Sequence, residues 1–108
     1  MKRVVVTGMG IVSSLGCNKE DVAESLKQQK AGIGFNETFK ELGFRSHVSG
    51  IININVKEQI DRKLLRFMGE GAAYSYIAMK EAIVDSGLSE DQVSNIDTGL
   101  IMGAGGAS

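Results

Sequence analysis

The first sixteen residues, MKRVVVTGMGIVSSLG, constrain the fold of this chain more than any other segment. The β-branched run Val4–Val6 predicts a short buried strand. Gly8 and Gly10 follow it, and glycines at this spacing allow positive φ angles and close backbone approach in a tight turn. A strand that ends in such a turn is typical of open α/β sheets, which bind ligands at the carboxyl ends of their strands.

The segment from Gly8 to Ser13 nearly matches the dinucleotide-binding pattern G-x-G-x-x-G/A, so a nucleotide-binding half-domain is one hypothesis. In that motif a helix begins within the glycine turn and directs its N-terminus at the pyrophosphate. Here the third position is Ser13, and the first clear helix cap is Asn18, about two turns too late. Glu37, the best candidate for the expected acidic residue, lies in another cap-like stretch. These departures disfavour nucleotide binding.

Composition excludes several classes of protein. The chain has 108 residues, which allows one domain at most. Twelve basic and 13 acidic residues give a formal net charge of -1, so no global attraction to nucleic acid or a membrane surface is indicated. The single Cys17 excludes an intramolecular disulfide and is typical of a reducing cytosol, so we expect a cytoplasmic protein. The N-terminal apolar run is too short and too interrupted for a signal peptide, and no window approaches a membrane span.

Capping residues predict two helices in the first half of the chain. Asn18 begins the first, with acidic residues in its first turn and basic residues, Lys27 and Lys30, in its last, and Gly32 is the expected C′ residue. A short second helix is predicted over residues 36–42, stopped by Gly43. The stretch that follows, residues 45–56, is predicted to be extended or irregular.

The second half predicts a long helix and a second strand. The helix runs from about Asp61 to Ser86 and is closed by Gly87. Ser89 and Gln92 form a capping box for a short helix. A second buried strand is expected over residues 100–102.

The glycine-rich turn at residues 103–108 comes directly after that second strand. Parallel strands need cover on both faces of the sheet, and two helices cannot supply it. We therefore expect the chain to be the N-terminal part of a longer protein.

A basic cluster, Arg62, Lys63 and Arg66, stands at the start of the predicted long helix. Positive charge there opposes the helix macrodipole by about 0.3–1 kcal/mol per group. Two interpretations follow from the residues alone. The cluster is either a solvated helix end, partly neutralised by Glu58 and Asp61, or a functional site, because local rules broken without visible gain often mark one.

Other reactive side chains offer weaker candidates. Cys17 precedes a helix N-terminus, which would lower its thiol pKa, but no base partner is near in sequence. His47 is the only histidine, and without a ligand cluster it predicts a hydrogen-bonding group rather than a metal or catalytic site. Met68, Met79 and Met102 are expected to fill the core.

Three blocks of sequence, in this order, resemble the N-terminus of a β-ketoacyl-[acyl carrier protein] synthase. They are RVVVTGMGIVSSLG at residues 3–16, DRKLLRFM at 61–68 and GLIMGAGGAS at 99–108. Their spacing and the stretch RSHVSG at residues 45–50 are most similar to the type I condensing enzyme. The first block is shared across the condensing enzymes, and the second is more diagnostic of the type I subclass.

The resemblance implies an α/β fold, with residues 1–108 forming an incomplete part of the first half of a thiolase-like layered architecture. It implies a homodimeric parent enzyme that condenses malonyl-acyl carrier protein with acyl-acyl carrier protein in fatty acid elongation, without metal or organic cofactor. The family's nucleophilic cysteine and two catalytic histidines lie beyond residue 108, so this chain alone is expected to be inactive. A non-catalytic paralogue resembling a chain-length factor remains an alternative.

The resemblance also assigns candidate site residues. Arg62, Lys63 and Arg66 match basic residues that help dock the acidic acyl carrier protein. Gly106 matches a wall position of the acyl pocket, where the missing side chain leaves room for the growing acyl chain, near the dimer interface. Ala104 and Ala107 stand where serine and glycine are expected, so the details of that wall differ from the family pattern.

Overall fold

The computed structural model describes residues 1–106. Their helices and strands are α1 Lys19–Lys27, β1 Ile33–Phe35, α2 Glu37–Glu41, β2 Val48–Gly50, α3 Val56–Gln59, α4 Arg62–Leu65, α5 Glu70–Ser86 and α6 Glu90–Val93. None of the helices found among these residues is both long and apolar enough to cross a membrane. The chain divides into two compact units, one of residues 11–55 and one of residues 1–10 together with the chain from Val56 onward.

Helix α1 opens the first unit as the sequence predicts, but it ends earlier. The Asn18 side chain accepts a hydrogen bond from the Asp21 backbone N–H at 2.8 Å, which confirms the predicted cap. Gln29 takes the left-handed conformation at φ 54°, and the Lys30 backbone N–H donates to the Ser25 carbonyl at 2.9 Å. Together with the Gln29 N–H bond to the Leu26 carbonyl, this is a Schellman ending. The predicted ending at Gly32 is therefore wrong, because the helix satisfies its last carbonyls one turn sooner.

A two-stranded antiparallel sheet completes the first unit. Strand β1 pairs with β2, with Phe35 opposite Val48 and Ile33 opposite Gly50. Strand β1 was not predicted from the sequence, whereas β2 lies within the stretch predicted to be extended. The short helix α2 between them begins at the Asn36 cap and ends before Gly43 at φ 72°, as predicted.

The sheet packs closely against the residues that precede α1. A Cβ atom added at Gly32 would overlap with Ser14, and one added at Gly50 would lie 3.3 Å from the Ser14 hydroxyl. The buried Ser25 hydroxyl donates to the Leu15 carbonyl at 2.7 Å. Small side chains and backbone groups, rather than large apolar ones, hold this unit together.

The second unit is organised on α5. A Cβ atom at Gly8 would overlap with the Ala82 carbonyl oxygen, and one at Gly10 would overlap with the Ala78 carbonyl oxygen. The Met9 backbone N–H also donates to the Asp85 carboxylate at 3.0 Å. The two glycines therefore serve the predicted close backbone approach. The predicted positive φ is wrong, since the left-handed glycines among the described residues are Gly43 and Gly87.

The predicted single long helix is wrong in its first part. Helix α4 ends at Leu65, and α5 starts at Glu70 after Gly69, whose backbone is extended at φ −74° and ψ 172°. Glycine is disfavoured inside a helix by about 1 kcal/mol relative to alanine. Here the helix is interrupted at Gly69. The predicted end is confirmed, because Gly87 follows α5 at φ 70°.

The short helix α6 begins as its capping box predicts. The Ser89 backbone N–H donates to Gln92 Oε1 at 3.0 Å, and the Ser89 hydroxyl lies 3.1 Å from the same oxygen. The amide side chain of Gln92 thus reaches back to the start of the helix.

The two predicted buried strands, Val4–Val6 and residues 100–102, are not strands in the structure. Val4 is 92% exposed and Ile101 is 96% exposed. A parallel strand needs hydrogen-bonded neighbours and cover on both faces, and no strand among residues 1–106 pairs with either segment. The described residues are thus a mixed arrangement of helices and short strands, in which Ile60 and Ala73 are the buried apolar side chains.

We predict that Gly10→Ala destabilises the protein that carries this chain, because the new methyl group overlaps with the Ala78 carbonyl of α5. Overpacking of this kind costs about 1–3 kcal/mol. Gly99→Ala is the matched control, since nothing lies within 4 Å of its Cβ position. Urea denaturation measures the difference, and equal midpoints for the two variants would contradict the close packing of Gly10.

Candidate functional site

Three exposed cationic side chains lie together on and after α4. Arg62 and Lys63 belong to the helix, and Arg66 is its C-cap residue. Asp61 begins the helix, and its carboxylate accepts a hydrogen bond from the Lys63 backbone N–H at 2.7 Å. We call Arg62, Lys63 and Arg66 the basic surface.

The predicted conflict between these cations and the macrodipole of a long helix is wrong for Arg66. Arg62 and Lys63 do lie at the start of a helix, α4. Because α4 is a single turn of four residues, Arg66 lies at a helix C-terminus, where positive charge is favourable. The basic surface is therefore compatible with local structure, and its exposure to solvent is what makes it a candidate binding site.

An aromatic ring lies beside the basic surface. The Arg66 guanidinium lies over the Phe67 ring, 4.6 Å from its centroid. Phe67 is 77% exposed, and its neighbour Leu64 is also exposed. Cationic and large apolar groups thus share one accessible turn of the chain. Nothing in the residue pattern singled out Phe67, since one aromatic in a helical stretch is ordinarily a core residue.

A groove of about 700 Å³ lies along α5 in the second unit. Its volume is in the range typical of small-molecule sites. Most of its lining is apolar or glycine backbone, with the hydroxyl groups of Ser75 and Tyr76 as the polar side-chain groups. The lining residues are Met68, Gly71, Ala72, Ser75, Tyr76, Met79, Leu100, Met102, Gly103, Ala104, Gly105 and Gly106.

Gly106 lies in the wall of this groove, and a Cβ atom added there would meet nothing within 4 Å. Ala104 lies in the same wall, whereas Ala107 is outside the described residues. Met68, Met79 and Met102 also line the groove, and Met102 is more than half exposed. The expectation that these methionines fill a core is therefore wrong, since they form the surface of an open apolar groove.

The basic surface and the groove are close along the chain. Arg66 is two residues before Met68, so their Cα atoms are at most about 7 Å apart. The segment between α4 and α5 thus has a cation, Arg66, near its start and a groove residue, Met68, two positions later. A ligand with an acidic part and an apolar part fits such a pair of features.

Cys17 lies in the first unit, beside a polar cavity of about 350 Å³. Its thiol donates to the Asn53 carbonyl at 3.3 Å. Partial burial raises the pKa of the Cys17 thiol, and the Asp21 carboxylate raises it further. The expectation that the helix N-terminus lowers this pKa is wrong, because both effects disfavour the thiolate. A raised pKa leaves less of the thiolate, which is the nucleophilic form of cysteine.

The His47 side chain packs against another aromatic ring. Its ring is half-buried and meets the Phe35 ring edge-on at 6.0 Å, while its carbonyl accepts from the Asn36 backbone N–H at 2.7 Å. Residues 1–106 contain no group of three or more His, Cys, Asp or Glu side chains able to hold a metal ion. The half-buried ring is as expected from the sequence, whereas the hydrogen bond found here is made by the His47 backbone carbonyl, so hydrogen bonding by the imidazole stays a prediction.

The nucleotide hypothesis finds no geometric support. The motif requires a helix that begins within its glycine turn. Here no helix begins between Gly8 and Lys19, and the glycine backbone packs against the side of α5 instead.

Comparison with known proteins identifies the family. The model of the β-ketoacyl synthase N-terminal domain matches residues 1–108, so the chain belongs to this family, as its sequence blocks predicted. It is 57% identical over 108 residues to 3-oxoacyl-[acyl-carrier-protein] synthase 1 of Haemophilus influenzae, covering all of this chain and 27% of that protein. It is 46% identical over 109 residues to the enzyme of the same name from Escherichia coli K12, with the same coverage.

A plant relative is more distant. The chain is 31% identical over 107 residues to the chloroplastic 3-oxoacyl-[acyl-carrier-protein] synthase II of Arabidopsis thaliana, covering 95% of this chain and 20% of that protein. The chain thus spans about a quarter of the length of the curated bacterial relatives that it matches. This agrees with the expectation that it is part of a longer enzyme.

We predict that the Cys17 thiol in the folded full-length protein is alkylated by iodoacetamide with a midpoint pH above that of the urea-unfolded protein. The reason is that burial and Asp21 both raise its pKa. Asp21→Asn should lower the midpoint toward the unfolded value, since it removes the negative charge. Peptide mass spectrometry measures the modification at this one site. A folded midpoint at or below the unfolded one would contradict the assignment.

Proposed function

We propose that the whole protein is a type I β-ketoacyl-[acyl carrier protein] synthase of fatty acid elongation, a homodimer in the cytoplasm. The proposal is supported by 57% and 46% identity over all of this chain to enzymes named 3-oxoacyl-[acyl-carrier-protein] synthase 1. In the reaction, an acyl group passes from its carrier to an enzyme cysteine. Decarboxylation of malonyl-acyl carrier protein then yields a carbanion that attacks this thioester, forming the carbon–carbon bond and releasing the cysteine sulfur.

This chain contributes binding rather than chemistry. The pKa of the Cys17 thiol is raised, which disfavours the nucleophilic thiolate, and the His47 ring packs against Phe35. Neither feature favours the nucleophile or the histidine roles of the reaction. The catalytic cysteine and both histidines would come from sequence beyond residue 108, and this chain by itself would be inactive. Residues 1–108 would form part of the first half of a thiolase-like layered fold.

The basic surface is the proposed docking site for the acyl carrier protein. The observation that carries this proposal is the exposure of Arg62, Lys63 and Arg66 on one short turn, two residues before the groove begins at Met68. A carrier with acidic side chains would be attracted and oriented by these cations. Such contacts mainly raise the association rate. Their loss should therefore raise KM for carrier substrates and leave KM for small thioesters unchanged.

The groove is the proposed acyl site. Its lining of methionine, alanine, leucine and glycine suits a hydrocarbon chain, whose burial is favourable by about 0.8 kcal/mol per methylene group. Gly106 would leave space in the wall for a longer chain, because it presents no side chain. No metal or organic cofactor enters this proposal.

We predict that the double variant Lys63→Glu/Arg66→Glu of the full-length enzyme raises KM for acyl carrier protein substrates roughly tenfold, since two attractions become repulsions. KM for the corresponding acyl-coenzyme A thioester should change little. Steady-state kinetics with both substrates measure the difference. The matched control is Lys40→Glu/Lys80→Glu, which makes the same charge change at two exposed lysines outside the basic surface.

Two outcomes would contradict the docking role. One is an equal loss with both kinds of substrate, which would indicate damage to the fold or to the chemistry. The other is an equal increase of KM in the control variant, which would indicate a general effect of net charge.

We predict that Gly106→Val lowers kcat/KM for long-chain acyl carrier substrates more than for short-chain ones, because the new side chain fills part of the groove wall. Gly99→Val is the matched control, because Gly99 also has open space at its Cβ position but does not line the groove. A series of acyl substrates of increasing length measures the effect. Equal losses at every chain length would argue against Gly106 as part of an acyl pocket.

A further inference from the structure

We propose that Phe67 is a positioning residue, whose ring holds the Arg66 guanidinium in the orientation that engages the acidic carrier. This inference rests on the proposed docking function. It adds to that function a residue that the family resemblance did not assign. It comes from the contact between an exposed cation and an exposed ring at the end of α4.

The contact has the geometry of a cation–π interaction. The guanidinium carbon of Arg66 lies 4.6 Å from the centroid of the Phe67 ring, and contacts of this kind are favourable within about 6 Å. The ring face carries the negative part of the aromatic quadrupole, which attracts the delocalised positive charge. Ring and guanidinium therefore hold each other in place.

Backbone hydrogen bonds hold both Arg66 and Phe67 in place. The Arg66 N–H donates to the Arg62 carbonyl at 3.4 Å, and the Phe67 N–H donates to the Leu64 carbonyl at 3.0 Å. The hydrogen bonds of the last turn of α4 thus set where the two side chains leave the chain. Only side-chain rotation remains free, and the ring contact restricts it for Arg66.

Within residues 1–106, Phe67 is not part of the buried core. Its side chain is 77% exposed, whereas Ile60 and Ala73 are the apolar residues that the described part of the second unit buries. A phenyl group left in water contributes little hydrophobic stabilisation. Among residues 1–106, the Phe67 ring contacts the Arg66 guanidinium of the basic surface.

Ring support changes what Arg66 can do. A guanidinium that lies on a ring face keeps its N–H donors at its edge, where they form paired hydrogen bonds with a carboxylate. A side chain held in advance also loses less rotational freedom when the partner binds. Arg66 would therefore be the ordered, orienting cation of the basic surface, and Lys63 a more mobile steering charge.

The test uses two substitutions of Phe67 in the full-length enzyme. Phe67→Leu removes the ring and keeps an apolar side chain, and we expect KM for acyl carrier substrates to rise about threefold. KM for acyl-coenzyme A should stay at the wild-type value. Phe67→Tyr keeps the ring face and should behave as the wild type with both substrates.

A double-mutant cycle shows whether the ring acts through Arg66. In an Arg66→Ala background, Phe67→Leu should have no further effect on the KM for carrier substrates, because the group that the ring orients is gone. In a Lys63→Ala background, the threefold effect should remain. The thermal midpoint of each variant shows whether the fold is intact.

The failures of the two proposals are distinguishable. If Arg66→Ala raises the carrier KM but the cycle is additive, Phe67 does not act through Arg66 and only the positioning role is overturned. If Phe67→Leu lowers activity with both substrates together with the thermal midpoint, the ring is a packing residue and the positioning role is again overturned. If Arg66→Ala leaves the carrier KM unchanged, Arg66 does not dock the carrier, and the positioning role falls with that assignment.

Discussion

The close approach of the N-terminal backbone to α5 is the contact on which the second unit depends. Gly8 and Gly10 lie so near the helix that a methyl group at either would overlap with a carbonyl oxygen of Ala82 or Ala78. The Met9 N–H bond to Asp85 ties the same segment to the same helix. Helix α5 also provides part of the groove lining, so the two glycines pack against the same helix that lines the groove.

The break between α4 and α5 gives the candidate site its form. In a continuous helix Arg62 and Arg66 would share a face, and Phe67 and Met68 would follow at successive positions around the axis. The extended backbone at Gly69 ends that regularity, leaving Arg66 at a C-cap and Met68 in the groove wall. The cations and the apolar groove thus become two neighbouring features joined by a few residues.

Local signals in the sequence predicted local structure well. The caps at Asn18 and Asn36 and the stops at Gly43 and Gly87 depend on hydrogen bonds and φ angles within a few residues, and the structure has them.

Features that depend on distant partners were predicted less well. Val4–Val6 has the composition of a strand but finds no partner strand in the described part of the chain, since pairing depends on residues far away in sequence. The contact between the Phe67 ring and Arg66 depends on the helix break between α4 and α5. The spacing of apolar residues alone does not reveal that break. The basic cluster itself was found from the sequence, although the shortness of α4 removes the predicted macrodipole conflict at Arg66.

The exposed β-branched run at Val4–Val6 has a consequence for how such an enzyme is made. Its valines are exposed and no strand among residues 1–106 pairs with it, so it can add to the sheet edge of a neighbouring molecule. Residues 100–102, equally apolar and exposed, are a second segment that can associate in the same way. While both segments stay exposed, a newly made chain would therefore depend on chaperones, or on completing its fold, to escape aggregation.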